Sequence, residues 1–360
     1  MKYLKYLFLS AAFCCLTCNK DDDGNTSEGF QVQHLITDLT NTRILPELNV
    51  FHTEVLALKQ SIESYNSDKS ESQLDAIRTQ WKTTASAYGN IYGYNIGIAK
   101  AQNLDKALFS WPTTPSAIEN FLNANSTISE SDFSALSPQI KTLSALDYLL
   151  FEDDLTLTNT KFTTEDNRMQ YLQFTVNELA FQSNRLLEIW QPSGSDYAHN
   201  FINNSSSGIE GSFNLFFNGF YNLIDNGKIT KIGKPAGLEN SQNTNPDLVQ
   251  ARYSGYSLSI LRENINSLES VYFNDSGLGI SDYVFAITNN QELNELVQGK
   301  INEVKTAIDL IPTSLAEAIN TNPQLVSTLH SKLNDLRIIF AVDLRSTLSI
   351  IITVTDNDGD

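Results

Sequence analysis

Ser144 and Asp147 are the polar groups that interrupt an otherwise apolar helical stretch, Leu143 to Phe151. Their i, i+3 spacing puts a hydroxyl and a carboxylate on one helix face, where they can meet a ligand together or simply face water. A hydroxyl next to a carboxylate is half of a hydrolytic site. Without a basic partner it lacks the proton acceptor that activates an oxygen nucleophile. The four histidines, His34, His52, His199 and His330, are far apart in sequence and have no HExxH-type companion, so spacing assembles no histidine metal site.

Two further candidates fail on geometry. Asp356-Asn357-Asp358-Gly359-Asp360 has the composition of a calcium loop, but its glycine stands fourth instead of sixth and the chain stops before a closing Glu. Gly233-Lys234-Pro235-Ala236-Gly237 lacks the phosphate-loop spacing and the Ser or Thr after its lysine.

The N-terminus carries an address. Lys2 and Lys5 precede the apolar run Leu7 to Phe13, and Leu16-Thr17 leads to Cys18 and then Asn19-Lys20-Asp21-Asp22-Asp23. A basic start, a short apolar core and small residues before a cysteine predict a lipoprotein signal over 1–17, with Cys18 as the site of lipid attachment. Residues 18–30 read as a flexible acidic tether, too polar to offset the entropy of ordering it. The apolar run is too short to span a bilayer.

Composition narrows the chemistry. The chain has 24 Lys and Arg against 42 Asp and Glu, a net charge of −18. Removing the signal takes away two lysines and no acid. Such a surface repels phosphate backbones, which argues against nucleic-acid partners. All three cysteines, Cys14, Cys15 and Cys18, lie in or beside the signal, so no disulfide, thiolate-zinc site or cysteine nucleophile is expected in the folded part.

The elements that must position Ser144 and Asp147 are helical. Apolar residues recur at helical spacing from Val32 to Ile62, with a bend or restart at Pro46, and again from Ser72 to Gly97. Residues 100–137 read as irregular, and a helix resumes at Pro138. Another runs from Thr164 as N-cap to Trp190. Residues 207–226 are apolar on nearly every side, 227–245 read as a loop, and helical patterns follow at 247–273, 289–320 and 323–345. The tail from Leu348 reads as extended. The expected fold is all-α, two packed helical bundles over 31–195 and 196–360 with a short extended C-terminal tail.

At the Ser144 segment the chain resembles the imelysin family, whose members carry a GxHxxE motif leading into a Tyr/Phe-Leu-Leu-Trp/Phe run. Here the stretch reads Thr142-Leu143-Ser144-Ala145-Leu146-Asp147-Tyr148-Leu149-Leu150-Phe151. The apolar frame is kept, while Thr142 stands for Gly, Ser144 for His and Asp147 for Glu. Supporting matches are Trp81 with Tyr88, Leu108-Phe109-Ser110-Trp111-Pro112, Ile118 to Leu122, Asn218-Gly219-Phe220, Gly233-Lys234-Pro235, Tyr256-Ser257 and the closing Asp358-Gly359-Asp360. Together they are similar to imelysin-like lipoproteins of Bacteroidetes-type bacteria.

The resemblance implies an all-helical fold of two bundle-like domains with the motif in a cleft between them. It also implies an exported, lipid-anchored protein linked to iron uptake, in a family named for a peptidase. Thr142, Ser144 and Asp147 become the ligand-binding candidates, with Trp81, Trp111 and Tyr148 as candidates to line the cleft. A serine hydroxyl is a poor substitute for imidazole as a transition-metal ligand, whereas Asp147 can still bind a hard cation, so iron or another divalent cation stays open as cofactor. The expected function is a non-enzymatic binding component associated with iron or haem uptake, held in the outer membrane by its lipid and facing either the periplasm or the exterior. Cys18-Asn19-Lys20-Asp21-Asp22 resembles a surface-export signal of such lipoproteins, and equally suits an ordinary spacer. The alternatives are a peptidase or hydrolase using Ser144 and Asp147, and a structural surface lipoprotein whose pocket has decayed into packing.

Overall fold

In a computed structural model of the chain, the structure describes residues 29–240 and 242–353. The signal, Cys18, most of the tether and the Asp356–Asp360 tail lie outside the described residues. Those described contain helices and no strand, in keeping with the all-α expectation.

The chain opens with α1 (Val32–Leu39), a π-helical turn Thr40–Ile44 and α2 (Leu45–Ser67), which restarts with Pro46 in its first turn, where its missing N–H costs nothing. Ser70 caps α3 (Glu71–Ile91) by accepting the Gln73 N–H, and a 3₁₀ turn Tyr92–Tyr94 follows. Residues expected to be irregular instead hold four short helices, α4 (Gly97–Ala101), α5 (Leu104–Phe109), α6 (Pro115–Ala124) and α7 (Glu130–Ser134). Pro115 starts α6 and a Ser129–Asp132 capping box starts α7; such local caps suffice for one or two turns that periodicity is too short to register.

Next come α8 (Leu143–Phe151), α9 (Leu155–Thr164) and α10 (Asp166–Trp190). Asp154 caps α9 through the Leu157 N–H, so Thr164 closes that helix and is not the N-cap of the next. After α11 (Tyr197–Asn203), α12 (Ser212–Asn226) is buried on most sides, as its composition requires. The loop expected over 227–245 is corrected in its first part, where the chain continues as a π-helical turn, Gly227–Gly233, with Ile232 drawn fully into the core, and the described residues of 234–245 are non-helical as expected.

The helix expected from 247 begins only at Ser257. Positive φ angles at Ala251 (50°) and Gly255 (68°) prevent a helix from passing through 249–256. The chain then forms α13 (Ser257–Phe273), α14 (Ile280–Thr288), α15 (Glu292–Asp309), α16 (Leu315–Thr321) and α17 (Pro323–Ile339). A π-helical turn Phe340–Leu344 joins α17 to α18 (Arg345–Thr347). The stretch read as one helix over 289–320 is split, with Pro312 between α15 and α16 and Ser314 capping the latter.

The described residues from Val32 onward form one compact unit. Within it α2, α3 and α10 pack together, and α13 lies against both α3 and α15, which in turn packs on α17. The crossing of α3 and α13 is close: a Cβ on Gly89 would stand 2.9 Å from Glu263 Cβ and 3.0 Å from the Ile260 carbonyl oxygen. Residues 349–353 are not helical. Asn214 and Asn218 hold them from α12, accepting the N–H of Ile351 at 2.8 Å and of Thr353 at 2.9 Å.

Candidate functional site

Helix α8 is gripped from one side by α3. The Trp81 indole donates to the Leu143 carbonyl at 3.1 Å and the Arg78 guanidinium to the Leu150 carbonyl at 2.7 Å, fixing both ends of α8. Residues 143–150 are consequently all buried. The hydroxyl and carboxylate on this helix do not face water, being only 3% and 2% exposed at Ser144 and Asp147.

Burial demands partners, and both side chains have them. Ser144 Oγ donates to the Ser110 carbonyl and lies 3.1 Å from Thr142 Oγ1. Asp147 accepts two backbone N–H groups, Tyr253 on Oδ2 and Ser254 on Oδ1, each at 3.0 Å. Those donors are free because 249–256 is not helical. Burial pushes the Asp147 carboxyl up to about 6, an effect reduced by Ser254, by the Tyr253 N–H and by the Arg252 charge.

Beside this pair is a cavity of about 380 Å³, walled by Trp111 to Ser116 on one side and by Asp247 to Tyr253 on the other, with Ser144 and Asp147 in its lining. Trp111 also belongs to the wall of a second cavity of about 410 Å³, with Tyr92, Gln139, Asn222 and three lysines. Next to this wall is a buried cation. Lys231 Nζ lies 5.0 Å from the Tyr92 ring centroid and 5.7 Å from that of Trp111, and it donates to Asn264 Oδ1. Asn264 is itself anchored by donating to the Gly89 carbonyl at 2.6 Å, at the close crossing of α3 and α13. Burial pushes the Lys231 ammonium down to about 7.

The profile of the imelysin family matches residues 44–338. The chain belongs to the imelysin family. Solved structures with the imelysin fold resemble it along most of its length. A protein described as an iron-regulated protein A precursor from Parabacteroides distasonis is 19% identical, with a TM-score of 0.74 over 89% of this chain and 97% of that one. An imelysin-like protein from Psychrobacter arcticum is 16% identical, with a TM-score of 0.75 over 89% and 96%. No curated protein matches the chain.

In this imelysin-family chain Thr142 and Ser144 hydrogen-bond to each other, while Asp147 is turned to the Tyr253–Ser254 backbone. Thr142 begins α8 as its N-cap residue, although its side chain makes no capping bond. Trp81 is fully buried and lies in neither cavity wall; it is a core residue that supports α8. Tyr148 is buried too, donating to Glu119 at 2.8 Å and meeting the Tyr253 ring edge-on at 5.2 Å. Trp111 alone among the three aromatic candidates lines a cavity, and it lines both.

These residues do not fit a transition-metal centre. Ser144 spends its proton on a carbonyl, both Asp147 oxygens are occupied, and no group of three or more His, Cys, Asp or Glu side chains placed to hold a metal occurs among the described residues. Nor does a histidine reach Ser144. His52 pairs with Ser183, His199 lies against Asn203, and His330 bonds Glu239. Sequence reasoning missed Lys231, Asn264 and the 249–256 segment; Gly255 was the local sign that a helix could not run through that segment.

Proposed function

We propose that this chain is a lipid-anchored imelysin-family binding component of the cell envelope, serving iron or haem uptake at the outer membrane and not hydrolysis. The observation that carries the reading is the pairing at the motif. The positions that would do chemistry are tied up holding the backbone at Ser110 and at Tyr253–Ser254, while the neighbouring space stays open as two cavities of ligand size. Ser144 lacks a base, which argues against a serine hydrolase. The cavity beside it stays open and keeps Asp247, Arg252 and Thr113 in a lining shared with Pro112, Leu248 and Val249, which argues against a pocket closed by packing.

The iron connection rests on family membership and on the iron-regulated description of one structural neighbour. The anchor reading rests on Cys18 and its flanks, and the outer-membrane address, periplasmic or exterior, on the likeness to imelysin-like lipoproteins. No helix of the described residues is long and apolar enough to cross a membrane. Titration of the full chain with ferrous iron, ferric iron and haem is the direct test. Saturable binding of one of them, with the iron bare or chelated, is expected, and no binding in any form overturns the iron reading. Cleavage of a protein substrate that is lost in Ser144→Ala would overturn the non-enzymatic part.

A further inference from the structure

The second cavity, of about 410 Å³, has an electrostatic character opposite to that of the chain. Against a net charge of −18 for the whole protein, its wall carries Lys100, Lys106 and Lys234 and a single carboxylate, Asp105. Lys231 stands against two aromatic rings of the same wall, Tyr92 and Trp111, and adds positive potential whenever it is protonated. Concentrating cations in a concave, partly desolvated wall raises the local potential well above that of scattered surface lysines.

Between the lysines the lining is mostly neutral and polar, with amide side chains such as Asn95, Asn103, Asn222 and Gln139. Amides both donate and accept, which suits hydroxyl groups; lysines only donate, which suits carboxylates. Thr230, on the π-helical turn, adds a buried hydroxyl oxygen with no hydrogen-bond partner in this wall. The turn that carries it is π-helical, a geometry that recurs at functional sites. Three lysines against one aspartate match an anion with several carboxylates better than a sugar acid with one.

We propose that this cavity binds a small hydroxy-polycarboxylate anion, of which citrate is the simplest probe. Joined to the uptake reading above, on which this second step rests, iron is held there as its anionic ferric chelate, since a wall of ammonium groups repels a bare cation. The ligand's carboxylates pair with Lys106 and Lys234 while its hydroxyl meets the amides.

The test is calorimetric titration of the full chain with citrate, ferric citrate, galacturonate, ferrous iron and haem. Citrate is expected to bind saturably and more tightly than galacturonate, and to weaken as salt is raised. Lys106→Gln with Lys234→Gln is expected to cost at least tenfold in citrate affinity. Lys332→Gln, whose lysine pairs with Glu303 on the surface of α17, is expected to cost nothing. Because Lys106 is exposed and Lys234 half-buried, the double variant retains the fold, which far-UV circular dichroism checks. Absence of citrate binding, or equal affinity in the double variant, overturns the proposal; haem or ferrous iron binding without citrate does so while sparing the uptake reading. Citrate binding without ferric citrate binding upholds the cavity assignment and removes its ferric-chelate step.

Discussion

The carboxylate of Asp147 accepts the backbone N–H of Tyr253 at 3.0 Å, joining residues 106 positions apart in the chain. With the companion bond from Ser254, it makes the most acidic position of the motif a clamp on a loop that walls a cavity. Asp147→Ala leaves two backbone donors without an acceptor, at a cost of about 2 kcal/mol or more. Urea unfolding measures this, and a loss below about 0.5 kcal/mol would mean that water replaces the carboxylate freely.

Asp147 and Lys231 impose opposite pH dependences in separate windows. The folded carboxyl titrates at about 6, against an ordinary 3.8, so between these values the folded chain holds a proton that the unfolded chain has released. Stability therefore falls as pH rises from about 4 to about 6. Lys231 titrates at about 7 when folded, against 10.5, so the folded chain loses its proton first and stability rises from about pH 7 to about pH 10. Asp147→Asn reduces the acid slope, leaving the part from the Glu47 carboxyl, which burial pushes up to about 7, and Lys231→Met removes the alkaline one. A Lys231→Met chain that keeps the alkaline slope would assign it to another group.

Restoring the family's histidine should not restore a site. Ser144 is 3% exposed and its hydroxyl meets the Ser110 carbonyl, so an imidazole there overpacks the start of α8. Ser144→His is expected to destabilise by about 1–3 kcal/mol. It is also expected to bind zinc or ferrous iron no better than the parent chain, because no further ligand converges there. Metal-dependent thermal stabilisation of the variant alone would contradict this.

The anchor is tested separately from the fold. Cys18→Ser is expected to move the exported chain from the membrane to the soluble fraction, with the unfolding midpoint of the released chain unchanged. Retention in the membrane fraction after the substitution would point to attachment by protein contacts.

Much of the helical frame was legible from spacing alone. Pro46, Asn322-Pro323 and the apolar circumference of α12 announced their roles because each acts within a few residues, through a lost N–H or a buried face. The errors fell where tertiary contacts override local preference. Ile232 pulls a presumed loop into a π-helical turn, and the left-handed residues Ala251 and Gly255 break an apolar pattern that reads as helix.

The same division holds for the site. By itself the sequence determined an acidic and cysteine-poor folded part, an all-helical architecture and the altered motif Thr142, Ser144 and Asp147. Only the tertiary structure decided what those side chains do. Whether a carboxylate binds a cation or caps a loop depends on which donors lie within about 3 Å, and the donors for Asp147 come from a segment 106 residues away. Lys231 makes the same point: a lysine among isoleucines reads as a surface residue until the crossing of α3 and α13 brings Asn264, and the two aromatic rings, around its charge.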